Sequence, residues 1–159
     1  MKTQVFDTGC CPRVNPSLWD DKMHTWKDKL FMKGSVFTLF FMPINFGSVI
    51  TRMMKQASNA KATIQNNLCL SDHTTMFNMN IYLAVDKKVP AAKNVAISGT
   101  FYSKVYEGDF SKTGEWCKDF ESIIKKKGHT VNKWYMWYTT CPKCAKIYGK
   151  NYVVIFGKI

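Results

Sequence analysis

Polar and apolar residues alternate from Phe77 to Leu83. Phe77, Met79, Ile81 and Leu83 fall on one side of an extended chain, and Asn78, Asn80 and Tyr82 on the other. This two-residue period predicts a half-buried strand with its apolar side against helices. A helical period governs two other segments. After Asn45, a candidate cap, Val49, Ile50, Met53, Met54 and Ala57 form an apolar stripe that fades into the polar residues 58–67. After Asp109 or Ser111, Trp116, Cys117, Phe120, Ile123 and Ile124 recur at the same spacing. Gly128 closes that helix directly behind the lysines at 125–127, which suit a helix C-terminus.

The two helical segments sit in matching surroundings. Each follows a β-rich run, residues 36–42 and 99–106, and each precedes two further strand candidates: 68–71 and 77–85, then 131–140 and 151–158. Sliding the chain against itself aligns Phe37 with Phe101, Met42 with Tyr106, Asn45 with Asp109 and Phe46 with Phe110, so strand, cap and first-turn aromatic recur together. The expected fold is α+β: two βαββ repeats with pseudo-twofold symmetry, an antiparallel sheet with helices on one face. Repeat one spans about 35–85 and repeat two about 95–159, in a domain of residues 34–159. Residues 1–33 form an N-terminal extension with a strand around 26–32, packed on the domain because Trp19 and Trp26 would not be left in water.

One strand departs from alternation. Tyr135 and Trp137 share one face, while Trp134, Met136 and Tyr138 share the other, so both faces are apolar and both need cover. Helices cover one. The other is closed by a ligand, by further core, or by the N-terminal segment.

Composition narrows the class. A chain of 159 residues with 46% hydrophobic and 14% aromatic residues has the length and core-forming side chains for one folded domain. No apolar run approaches the ~20 residues that span a bilayer, and residues 1–8 lack a secretory pattern, so the expected location is cytoplasmic with no membrane partner. The net charge of +12 comes from 23 Lys and Arg against 11 Asp and Glu. It could attract nucleic acid or an anionic surface. Only Arg13 and Arg52 are arginines, however, and the lysines are scattered, which fits a solvated surface better than specific nucleic-acid readout.

Six cysteines are present, and without a secretory signal reduced thiols are expected. The pair Cys141-Pro142-Lys143-Cys144 looks like a thioredoxin-type dithiol, but only 15 residues follow it, too few to complete such a fold. Together with Cys10 and Cys11 it could form a four-thiolate zinc site, although adjacent cysteines are poor partners for one tetrahedral ion. No cofactor is expected, and zinc at these four thiols is the one metal alternative. No GxSxG elbow, HExxH helix or phosphate-binding glycine loop occurs. His24, His73 and His129 are isolated and expected at the surface. Glu107 and Asp109, flanking Gly108 where the second repeat's first strand meets its helix, are the carboxylates best placed for acid–base work, with turn and cap as their structural alternative.

The run from Phe101 to Tyr106, then Glu107-Gly108-Asp109-Phe110, the helix through Trp116 and Phe120 to Gly128, and Tyr138 four residues before Pro142 resemble the second half of GyrI-like domains. The resemblance covers about residues 35–159 and is faint in the first repeat. It implies two βαββ units with a small-molecule pocket between them, in a family whose members serve as effector-binding domains, sequester toxins or, in one branch, hydrolyse genotoxins. It is similar also to short stand-alone, cysteine-bearing relatives loosely labelled hydrolases. At the position of the family's pocket glutamate this chain has Met136. A thioether neither attracts a cation as a carboxylate does nor activates water. The implied wall is therefore aromatic and polarizable: Trp134, Met136 and Tyr138, with Tyr102 and Tyr106 beside them and Asn78, Asn80 and Tyr82 from the other repeat.

Three readings follow. The first is a protein that binds a small, largely apolar or aromatic molecule between the repeats, for sequestration or detoxification. The second is a hydrolase on the same fold, using Glu107 or Asp109 as base and Tyr138 as hydrogen-bond donor. The third is a zinc-stabilised interaction protein.

Overall fold

A computed structural model describes residues 14–140 and 142–159. The chain is α+β, with antiparallel strand pairs and few helices. It divides into two compact units: Trp26–Ser98, and Gly99–Ile159 with the described residues up to Thr25. Their boundaries fall inside two long strands, β1 (Lys22–Leu39) and β5 (Lys93–Glu107).

In unit Trp26–Ser98, β1 leads through a two-residue strand β2 (Met42–Pro43) into α1 (Phe46–Asn59), then β3 (Ile64–Thr75) and β4 (Asn78–Val85). β4 is central, pairing antiparallel with β1 through Gly34↔Ile81 and with β3 through Ser71↔Ile81. Met79, Ile81 and Leu83 are buried against Val49, Met53 and Ala57 of α1, as the alternation predicts, but from Ile81 to Val85 both sides of β4 are buried, Tyr82 included. Phe77 also departs from the alternation, standing exposed in the turn before the strand. Asn45 is the N-cap of α1, yet its Oδ1 accepts the Phe37 N–H at 2.8 Å, so it ties the helix entry to β1 and makes no side-chain cap bond.

In the other unit, β5 is followed by a 3₁₀ turn (Phe110–Lys112), α2 (Thr113–Lys126), β6 (Lys133–Tyr138), α3 (Pro142–Tyr148) and β7 (Tyr152–Lys158). β7 is central, pairing antiparallel with β5 through Val105↔Val154 and with β6 through Trp137↔Val154. Trp116, Phe120 and Ile124 of α2 are buried on Tyr102, Tyr106, Val153 and Ile155. Each such side chain contributes roughly 1.5–3 kcal/mol by leaving water. The seven-residue α3 is absent from the sequence reading, which left the Cys141-to-Cys144 segment as a loop between two strands. About two turns are too few to show a period; Pro142 at its first position and Gly149 (φ +69°) just after it are the marks it leaves.

The strand expected around residues 26–32 and the first part of the β-rich run at 36–42 are one element, which ends at Leu39; Met42 begins β2. β1 runs 18 residues from Lys22, through position 33 where the sequence suggested an extension ending. No helix among the described residues is long and apolar enough to cross a membrane.

Close helix–sheet approach depends on glycine. A Cβ at Gly157 would stand 2.7 Å from Phe120 Cε1 and 3.2 Å from Val131 Cγ1. An aromatic ring held on both sides has little room to move, so Gly157→Ala is expected to destabilise the fold by ~1–3 kcal/mol through overpacking. A urea denaturation midpoint unchanged in this variant would show that α2 rides up without strain.

Candidate functional site

The two faces of the β5–β7–β6 sheet are covered differently. Trp134, Met136 and Tyr138 are partly buried on the α2 side, packed against the cluster of Tyr102, Tyr106, Trp116 and Phe120. Phe120 meets Trp134 at 5.2 Å between ring centroids, and Tyr106 stacks on Trp116 at 5.6 Å. The Tyr106 hydroxyl donates to Asp119 Oδ2 at 2.7 Å; burial, then this bond, pushes its pKa up. The Tyr138 hydroxyl donates to Met136 Sδ at 3.3 Å, and burial pushes it up to about 12. Five of the side chains named for a ligand wall are thus brought together, and they meet around α2. Asn78, Asn80 and Tyr82 belong to the other unit, where Asn78 Oδ1 accepts from Ser35 Oγ at 2.6 Å and Tyr82 meets Phe31 edge-on.

The opposite face of this sheet is closed by the chain's own N-terminal segment. Trp19 packs edge-on against Trp137 (5.1 Å) and Phe156 (5.9 Å). Ser103 Oγ donates to the Trp19 carbonyl at 2.7 Å and lies 2.7 Å from His24 Nε2. Among the three covers open to that face, protein core formed by this segment is the one in place. His24 is therefore partly buried, and so is His73, whose pKa burial lowers; only His129 is at the surface as expected.

Behind the same segment, the Tyr102 hydroxyl donates to Asp21 Oδ1 at 2.6 Å, and Lys127 Nζ lies 3.6 Å from that oxygen. The tyrosine bond first, and then the ammonium charge, hold Asp21 below the usual carboxylate range. A depressed folded pKa means stability that is present above the unfolded value and is lost as pH falls through the folded one. Asp21→Asn is therefore expected to flatten the acid limb of stability against pH. Urea midpoints at neutral pH and below the folded pKa measure it; an equal wild-type and variant difference at both would rule out this linkage.

Where β5 ends, an open groove of about 430 Å³ lies between its last residues and the α3–β7 connection. Glu107, Gly108, Asp109 and Phe110 line one side, and Ala145, Gly149, Lys150 and Asn151 the other. One backbone and one side-chain hydrogen bond fix its walls: Gly108 N–H donates to the Asn151 carbonyl at 3.1 Å, and the side-chain Nδ2 of Asn151 donates to the Gly108 carbonyl at 2.8 Å. Gly108 has φ +138°, a conformation that a side chain would strain, so glycine is needed where the chain leaves β5. The two carboxylates singled out from sequence share this groove but differ in role. Asp109 Oδ1 accepts the Ser111 N–H at 2.8 Å, capping the 3₁₀ turn, and that bond lowers its pKa. Glu107 is exposed at the strand end. Tyr138 does not line the groove: it touches Phe110 edge-on at 5.6 Å, from behind. Asn151 and Lys150 went unnoticed in the sequence, because only the pairing Glu107↔Tyr152 brings them opposite Glu107.

Of the four thiols considered for zinc, Cys10, Cys11 and Cys141 lie outside the described residues, and Cys144 is buried in α3. Among the described residues, no three His, Cys, Asp or Glu are grouped to hold a metal ion.

A family model described as bacterial hydrolase matches residues 1–159, the whole chain. The chain belongs to the bacterial hydrolase family. No curated protein matches it. Among solved structures, an uncharacterized conserved protein from Listeria innocua is similar with a TM-score of 0.59 at 9% identity, over 87% of this chain and 91% of that one. A hydrolase from Listeria innocua is similar with a TM-score of 0.57 at 10% identity, over the same shares. At such identities the likeness is one of fold: this bacterial hydrolase family member shares an architecture with both.

Proposed function

We propose that this chain is a hydrolase of a small, largely apolar compound, bound in the groove at the end of β5, with Glu107 as the general base. The observation that carries the reading is one open groove lined by an exposed carboxylate, Glu107, together with Lys150 and Phe110, in a member of the bacterial hydrolase family. Glu107 takes a proton from water as the water oxygen bonds to the acyl carbon, Lys150 offsets the negative charge on the carbonyl oxygen, and the protonated Glu107 returns the proton to the departing alcohol or amine as its bond to the acyl carbon breaks, with Phe110 receiving the apolar part of the substrate. Asp109 holds the turn. Spectrophotometric assays on a panel of small aromatic esters and amides test it: turnover that Glu107→Gln removes is expected, and turnover unaffected by that substitution would overturn the assignment.

Apart from the two-residue β2 in one unit and α3 in the other, the units share a strand–helix–strand–strand order with the last strand in the middle, which supports reading them as βαββ repeats of the GyrI-like plan. One observation favours binding without turnover: where that plan has its carboxylate, Met136 accepts a hydrogen bond from Tyr138, leaving only neutral groups at that position. Ligand-induced tryptophan fluorescence changes without product formation would favour this second reading.

A further inference from the structure

Two irregularities in the strands of unit Trp26–Ser98 set Lys29 among neutral groups. Asp28 breaks the extended run of β1 with φ +49°, and Asn66 and Asn67, with φ +55° and +52°, stand where the β3–β4 register slips between Ile64 and Cys69. Asp and Asn accept this left-handed conformation more readily than most residues, and bulges of this kind re-aim the side chains beside them.

At Asp28 the carboxylate next to Lys29 in sequence is tied to another strand. Asp28 N–H donates to Ser98 Oγ on β5 at 2.8 Å, and Ser98 Oγ donates to Asp28 Oδ1 at 3.2 Å. Gln65, beside the second irregularity, meets the lysine instead. Lys29 Nζ donates to Gln65 Oε1 at 3.3 Å and lies 5.7 Å from the centroid of the Trp26 ring. Phe31 extends this apolar surface, its ring centroid 5.9 Å from that of Trp26.

Other lysines over aromatic rings are neutralised. Lys104 and Lys127 stand over Tyr106 and Tyr102, but each has an aspartate oxygen beside it, Asp20 at 3.8 Å and Asp21 at 3.6 Å. Lys29 is partly buried, and no carboxylate of the described residues forms an ion pair with it. Burial lowers its pKa. An ammonium desolvated without a counter-charge gives up its proton more readily, and the neutral amine is a nucleophile toward carbonyl carbon.

We propose that Lys29 is a covalent capture site for small aldehydes and ketones with an apolar or aromatic tail, held as an imine beside Trp26. The ammonium first releases one proton to solvent. The nitrogen lone pair then bonds to the carbonyl carbon, the two hydrogens left on nitrogen depart with the carbonyl oxygen as water, and a C=N bond replaces C=O. No oxidant or reductant is required. The groove at Glu107 belongs to the other unit, and capture at Lys29 does not depend on hydrolysis there.

Incubating the full chain with benzaldehyde and sodium cyanoborohydride at neutral pH fixes each imine as a benzylamine, and mass spectrometry of the digested protein locates it. Lys29 is expected to be labelled ~10-fold or more faster than the exposed Lys87 and Lys88, because the rate follows the fraction of neutral amine. Gln65→Glu sets a carboxylate beside the ammonium, so it should slow labelling of Lys29 by ~10-fold or more and leave Lys87 and Lys88 unchanged. Lys29→Arg keeps a cation over Trp26 and should remove the fast label alone. Labelling of Lys29 in wild type no faster than that of Lys87 and Lys88 overturns the proposal. So does labelling of Lys29 in folded Gln65→Glu that is as fast as in wild type, or a fast label that persists on another lysine in Lys29→Arg.

Discussion

Phe120→Ala is expected to lower the unfolding free energy by ~3–5 kcal/mol, the largest single-residue effect on stability predicted for this chain. Phe120 is fully buried and joins α2 to two strands, with ring centroids 5.5 Å from Tyr102 on β5 and 5.2 Å from Trp134 on β6. Its ring also lies over Gly157 of β7, which has no side chain to move into the space left behind. The cavity would therefore persist, and the cost combines lost transfer energy with lost contacts. Urea denaturation with an unchanged m-value measures it. A loss below ~1 kcal/mol would mean that α2 collapses onto β7 and that the glycine does not fix the helix height.

Glu107→Gln is expected to reduce kcat/KM by ~10²–10⁴-fold on any substrate that the wild-type chain turns over, the range of a general base. The amide is nearly isosteric, so the groove keeps its shape while losing the proton acceptor. Asp109→Asn separates chemistry from architecture. Asp109 already accepts the Ser111 N–H, a bond that an asparagine oxygen also accepts, so most activity should persist in that variant. Steady-state kinetics of the two variants side by side decide the matter. Equal losses would make the pair act together; loss in Asp109→Asn alone would move the base to Asp109.

The carboxylates show how far pattern reading reaches. Glu107 and Asp109 were visible as neighbours of Gly108 at a strand–helix junction, because that junction is written in local signals: a β-rich run, a glycine and a helical stripe. Lys150 and Asn151, 43 residues further on, were not, because nothing near them in sequence points at Gly108. Their place follows from β5–β7 pairing, a long-range event. The ligand wall was legible as a set and not as a location. Trp134, Met136 and Tyr138 do share a face, but alternation alone cannot say which face meets α2, and these three are on the α2 side.

The turn at Phe40 and Phe41 was hidden for a similar reason. Residues 36–42 read as one β-rich run, and a turn at Phe40 and Phe41, forced into positive φ against residue propensity, divides it into β1 and β2.

By itself the sequence determined the α+β class, the buried faces of α1 and α2, and the glycine at the β5 exit, because periodicity and turn chemistry act between residues close in the chain. Tertiary structure alone decided that Trp19 and His24 close one sheet face and that Glu107 and Asn151 share a groove. Those outcomes depend on which strands pair and in what register, and many remote contacts compete to set that choice.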